Sequence, residues 1–171
     1  MWQFRFRRWT VAAVALLGGM TAPAFADHAF MQVPTIPGES NNARYRDWIE
    51  LTGFGQEFTR RVCGGTTVTK GLDRASALLA VAAANGDVLS QVTIAVTKPG
   101  ENPIEFLRML LSDVIVAQVS LTNSDPTAQV FESVRLIPRS ITLTYRQQDE
   151  RGVLGPAQTT VINCNRRGDG R

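Results

Sequence analysis

TKGLDRASALLAVAAANGDVLSQVTIAVTK, residues Thr69–Lys98, holds the one convincing helix of an otherwise strand-rich sequence. Asp73 is a good N-cap, because its carboxylate can accept a hydrogen bond from an orphan N–H of the first turn. Ala75, Leu78, Leu79 and Ala82 follow at the spacing of one helical face. The alanines of 75–84 give high helix propensity and a slim surface that can lie close to a sheet. Asn85-Gly86 ends the helix, since both residues tolerate the left-handed backbone of a helix C-terminus. Val88, Ser90, Val92, Ile94 and Val96 then alternate at period two, which predicts a strand with one mostly apolar side. A helix laid against β structure is implied, with the core supplied by flanking strands.

Those strands are legible on both sides. Upstream, Asp27–Val33 reads as an opening strand, ended by Pro34 and Pro37-Gly38. Arg46–Phe58 is a second strand region in which Trp48, Glu50, Thr52, Phe54, Gln56 and Phe58 share one parity, and Gly53 and Gly55 mark bulges or close approach. Arg60–Gly65 reads as a loop, and Thr66–Lys70 as a short strand leading into the helix. Downstream, the turn at Lys98–Pro103 precedes Ile104–Leu111 and Val114–Thr122. Both are apolar on both parities, as in buried strands with a bulge near Ser112-Asp113. Helix remains open for Ile104–Leu111 on propensity alone. After a turn at Asn123–Pro126 come Val130–Ile137 and Ser140–Gln147, split by Pro138. A polar hairpin loop, Gln148–Gly155, leads to a last strand at Ala157–Cys164. Strands at this spacing predict a mainly β fold, a two-sheet β-barrel or sandwich with one flanking α-helix.

The 171 residues suit one domain with a real core. Residues 1–26 stand apart as an expected signal peptide. Arg5, Arg7 and Arg8 form a basic start, Val11–Leu17 an apolar run, and Ala24-Phe25-Ala26 a cleavage site. A transmembrane anchor is the competing reading. The apolar run is short and interrupted by Gly18-Gly19 and Pro23, whereas a spanning helix needs about 20 apolar residues. Arg7-Arg8 also hints at twin-arginine export. The expected mature domain is 27–171, exported to the periplasm or outside the cell, with no stable membrane anchor after cleavage.

Removal of that segment erases the basic balance. The whole chain has 18 Lys+Arg and 15 Asp+Glu; the first 26 residues hold three arginines and no acid, so residues 27–171 carry fifteen of each sign. No nucleic-acid footprint remains beyond Arg166, Arg167 and Arg171, which read as a solvated tail. Net charge near zero favours association. Two cysteines, Cys63 and Cys164, lie in the mature region. In an exported protein an even count suggests a disulfide, two unpaired thiols being the alternative.

Reactive side chains are scarce. The single histidine, His28, sits two residues after the expected cleavage site and so on an expected mobile terminus, a poor base for a Ser-His-Asp or Cys-His arrangement. No metal-ligand spacing, P-loop or dinucleotide fingerprint occurs, so no metal or cofactor is expected. Glu101, Glu105 and Asp113, with Asp149-Glu150, could in principle supply paired carboxylates, but solvated charges are the common case. Trp48, Phe54 and Phe58 read as core before ligand stack, and Tyr145 as a half-buried strand residue. No enzyme is expected.

The order of five segments resembles the Hcp family, the haemolysin-coregulated proteins that form the inner tube of type VI secretion systems. The segments are F-M-Q-V and P-G-E-S (Phe30–Val33, Pro37–Ser40), a Trp-containing strand, T-V-T-K-G-L-D-R-A-S-A-L-L (Thr67–Leu79), T-K-P-G-E-N-P-I-E-F (Thr97–Phe106), and I-T-L-T-Y-R-Q-Q-D-E-R-G (Ile141–Gly152). The Gly-Glu-Ser loop and the Asp-Arg-Ala-Ser helix start are the most specific. The resemblance implies a β-barrel-like pair of sheets with one helix, and non-enzymatic subunits that close into homo-hexameric rings, stack into tubes and bind small effector proteins inside. Two departures stand out. Family subunits are assembled in the cytoplasm without an export signal, although a start at Met20 would give a leaderless product. The family also often carries a long Gly/Ser-rich loop used in ring contacts, where this chain has the short Gly55–Thr66. The rival expectation is an exported monomeric binding module on the same fold, with an aromatic groove around Trp48 and Phe54.

Overall fold

The computed structural model describes residues 27–59, 62–99, 103–123, 129–149 and 152–164. The expected signal peptide and the arginine tail lie outside them. In chain order the elements are β1 (His28–Gln32), β2 (Ile49–Leu51), β3 (Gly53–Thr59), β4 (Val62–Gly71), α1 (Ala75–Asn85), β5 (Val88–Lys98), β6 (Ile104–Thr122), β7 (Phe131–Ile137), β8 (Ser140–Gln148) and β9 (Leu154–Asn163).

β6 sets the architecture. Ile104–Thr122 is a single strand of 19 residues, neither a helix nor two strands. Asp113, at φ 49, marks its bend. One side pairs with β5 from Lys98↔Ile104 to Val88↔Ile115. The other side changes partner at the bend: Leu107–Ser112 pair with β8, and Ile115–Thr122 with β7. All ladders are antiparallel.

The result is two sheets sharing one strand. The first runs β2-β1-β5-β6-β8-β9 and the second β6-β7-β4-β3. The hydrogen-bonded path does not close on itself. Instead residues 49–59 cross from the first sheet to the second with only Thr52 between β2 and β3, and the Thr52 N–H donates to the Thr69 carbonyl at 2.8 Å. The core lies between the sheets: Met31, Ile49, Ile94, Met109, Leu111 and Ile141 meet Val68, Val116, Val134 and Leu136.

The helix lies against β6. Asp73 caps it through Oδ1, which accepts the Ala75 N–H at 2.9 Å. Gly86 ends it at φ 70, and the Asp87 N–H returns to the Ala82 carbonyl. Ala75, Leu79 and Ala82 are buried, but Leu78 is 45% exposed. The contact face is narrow and Leu78 falls on its rim.

Other expectations need correction. Of the expected loop Arg60–Gly65, Arg60 and Arg61 lie outside the described residues, and Val62–Gly65 are instead the start of β4, a strand paired with β3 and β7. The irregularity in β3 lies between Gln56 and Phe58, not at its glycines. It leaves Phe58 51% exposed, outside the core. In β5, Leu89 rather than Val88 enters the core, because parity switches before Val92 opposite the β6 bend. From Val92 to Thr97 both faces of β5 are buried. His28 is no mobile terminus; it opens β1 opposite Thr97. β9 starts three residues earlier than the alternation indicates.

Candidate functional site and assembly faces

The loop from Val33 to Trp48 folds back over the outer face of the first sheet. The Gly38 N–H donates to the Asp47 carbonyl and the Asp47 N–H to the Ser40 carbonyl. Gly38 is obligatory for steric reasons, since a Cβ there would lie 2.3 Å from the Trp48 carbonyl oxygen. The loop carries Tyr45 onto Phe30, with ring centroids 4.5 Å apart, and Trp48 edge-on to Tyr45. With Ala95 they form a second small core. Trp48 and Phe54 therefore serve separate packing clusters. The aromatic groove expected of a monomeric binding module is not built from them.

The two most specific motifs of the resemblance touch each other. Glu39 of Gly-Glu-Ser accepts the backbone N–H of Arg74 at 2.9 Å, beside the helix start. Ser40, buried, donates through Oγ to Glu50 at 2.7 Å. Arg74 pairs with Asp47 at 2.6 Å. One turn inward lies a polar knot that the sequence did not announce. Lys70, wholly buried, contacts Asp73 at 2.7 Å, Glu132 at 2.9 Å and Ser76 Oγ at 2.9 Å, and Ser76 Oγ donates to Glu132 Oε2. Lys70 and Glu132 are direct cross-strand partners. Their only sequence signal is an isolated charge at a strand end, which ordinarily reads as solvated.

Two grooves of opposite sign flank this frame. One, of about 360 Å³, is lined by Glu39, Glu50 and Asp73, with exposed Leu72 beside them. The other, of about 630 Å³, lies along β6 and β8, where Arg44 of the loop, Arg108 and Arg146 surround Ile104 and Phe106. In it Glu105 receives the Arg108 Nε–H at 2.6 Å and the Tyr45 hydroxyl at 2.7 Å. Burial pushes the Glu105 pKa up, but these hydrogen bonds and the guanidinium charges outweigh it and leave the carboxyl below the ordinary value. Burial, then the bond to Glu105, pushes the Tyr45 hydroxyl far above its ordinary range. A carboxyl held ionised in this way is the opposite of a general acid.

The remaining candidates are dispersed. Glu101 and Glu150 lie outside the described residues, and Asp149 Oδ1 accepts the Val153 N–H within its own loop. Tyr145 is exposed on β8. Among the described residues no group of three His, Cys, Asp or Glu side chains could hold a metal ion. No described helix is long and apolar enough to cross a membrane. Cys63 and Cys164 form a disulfide, with Cα atoms 5.1 Å apart. It joins the start of β4 to the residue after β9, across the bend where β7 gives way to β8.

What is left exposed is strand edge and apolar surface. β9 pairs only with β8, carries no charged residue, and is exposed on both faces from 156 to 161. Leu78 and Val81 stand exposed on an uncharged helix.

Comparison with known proteins gives these faces a context. No curated protein matches the chain. Solved structures do. Hcp1 from Salmonella typhimurium superposes with TM-score 0.72 at 25% identity, covering 81% of this chain and 95% of that one. A type VI secretion system effector from Yersinia pestis gives 0.69 at 20% identity, over 79% and 98%. The secreted protein Hcp3 from Pseudomonas aeruginosa gives 0.66 at 21% identity, over 82% and 100%. The family described as type VI secretion system effector, Hcp, matches residues 30–146. That span holds the Gly-Glu-Ser loop, the helix start it caps and the long bent strand between the sheets, and by it the chain belongs to the Hcp family.

Proposed function

We propose that the chain is an exported, non-enzymatic subunit that associates with copies of itself into a ring or stacked tube, and that carries small effector proteins within it. The observation that carries this reading is β9, an uncharged edge strand of ten residues exposed on both faces. An uncharged edge is a template for pairing with another chain, which monomeric proteins blunt with charge or proline, and in β9 the run Ala157–Asn163 beyond Pro156 carries neither. The uncharged outer face of α1 supports the same reading, because a helix apolar all round is normally covered. A closed ring of identical subunits needs two different complementary faces on each. The site chemistry agrees with a structural role, since the carboxylates of Glu50, Glu105, Glu132 and Asp149 are engaged in ion pairs and hydrogen bonds.

Export through the segment 1–26 belongs to the same proposal and fits an oxidising compartment for the Cys63–Cys164 bond. Native mass spectrometry of the exported protein tests the whole reading. It predicts a chain beginning at Asp27, two mass units lighter than its reduced form, in a discrete oligomer, with a hexamer as the family pattern. A reduced, strictly monomeric chain that retains residues 1–26 contradicts it.

A further inference from the structure

The self-association proposed above leaves open which faces meet, and the charge on the first sheet is arranged to answer that. Its strand order is β2-β1-β5-β6-β8-β9. The groove beside β2 is acidic, with Glu39 and Glu50 exposed and without a cation partner among the described residues. The groove at β6 and β8 is basic. Of its guanidiniums Arg108 is engaged by Glu105, while Arg44 and Arg146 are exposed and make no direct ion pair among the described residues. The chain has zero net charge over 27–171 but gathers opposite signs in two separate grooves. Leu72, half exposed, projects from the acidic side, and the basic groove offers Ile104 and Phe106 as an apolar floor.

We infer that the occupant of the basic groove is the acidic β2 side of a second copy of this chain. Glu39 and Glu50 meet Arg44 and Arg146, and Leu72 seats over Ile104 and Phe106. The contact is heterologous: each copy offers one groove to a neighbour on either side, so the contact propagates until it closes. Complementary charge fixes partner and register more than it adds affinity. The inference rests on the self-association reading and names its faces.

Charge reversal tests it. Arg146→Glu and Glu50→Arg are made separately in the oxidised mature chain, and assembly is followed by size-exclusion chromatography with light scattering. Each variant alone should assemble about tenfold or more weakly than wild type. An equimolar mixture should recover assembly, because the two variants can alternate around a ring with every contact restored. Circular dichroism checks the fold of each. Should Glu50→Arg fail to fold through loss of the Ser40 bond, the wild type itself decides: assembly should weaken between about 0.05 M and 1 M salt, as screening length falls from over 10 Å to about 3 Å. Variants that assemble as wild type, a mixture that fails to recover, or salt-independent assembly each overturn this pairing and leave the ring standing. A monomeric wild type removes the ring and the pairing together.

Discussion

Lys70 and Glu132 are both wholly buried, directly opposite on β4 and β7, and Glu132 Oε1 has no hydrogen-bond partner. Breaking such a pair from one side leaves an uncompensated charge in the interior. Lys70→Met is therefore expected to cost about 3–5 kcal/mol, measured by urea unfolding of the oxidised chain. Lys70→Met combined with Glu132→Leu should recover much of that loss; a single variant as stable as wild type would contradict the burial. Glu105 makes a pH-dependent contribution. Its folded pKa is lowered, despite burial, by its bonds to Arg108 and Tyr45. The stability it adds is thus fully present above the ordinary carboxylate value of 4.5 and is lost as pH falls through the lower folded value. Thermal melts from pH 7 to pH 3 should show a steeper acid loss for wild type than for Glu105→Gln. At this scale the sequence was only partly readable. Asp73 and Gly86 announce themselves because capping is local chemistry. Lys70, Tyr45 and Glu105 do not, because Glu132 lies 62 positions from Lys70, and Tyr45 and Glu105 lie 60 positions from each other.

The disulfide ties two elements rather than two residues. Cys63 lies at the start of β4 and Cys164 just beyond β9, and the Cys164 N–H donates to the Arg139 carbonyl in the connection between β7 and β8. The bond therefore clamps the second sheet to the first at the bend. With a separation of 101 residues, its chain-entropy contribution is on the order of 4–5 kcal/mol. Cys63→Ser/Cys164→Ser should lower the unfolding free energy by about that amount. Reduction of wild type should reproduce the effect, and a chain indifferent to both would contradict it. Helix, strands and most turns were legible from periodicity and from Gly, Pro and Asn. The strand start at Val62–Gly65 was not, because Gly64-Gly65 reads as a turn signal but lies here opposite the register shift of β3 between Gln56 and Phe58, inside a continuing strand. Gly64 fits close against Glu57, and Gly65 adopts φ 94 at that shift. β6 was divided because Ser112-Asp113 reads as an interruption, whereas the strand bends there and continues with a new partner.

For the whole molecule, the family and the two-sheet plan were carried by the order of five segments, none sufficient alone. The two charged grooves were hidden. The fold gathers Glu39, Glu50 and Leu72 in one groove and Arg44 and Arg146 in another, and no local pattern encodes that. An uncharged exposed strand at β9, zero net charge over 27–171 and two oppositely charged grooves are what the proposed self-association rests on. Sedimentation velocity on oxidised residues 27–171, over a wide concentration range at low salt, tests this most directly. A discrete multi-subunit boundary that grows with concentration, at the mass of a closed ring, is predicted; a single-chain boundary at every concentration would contradict the account.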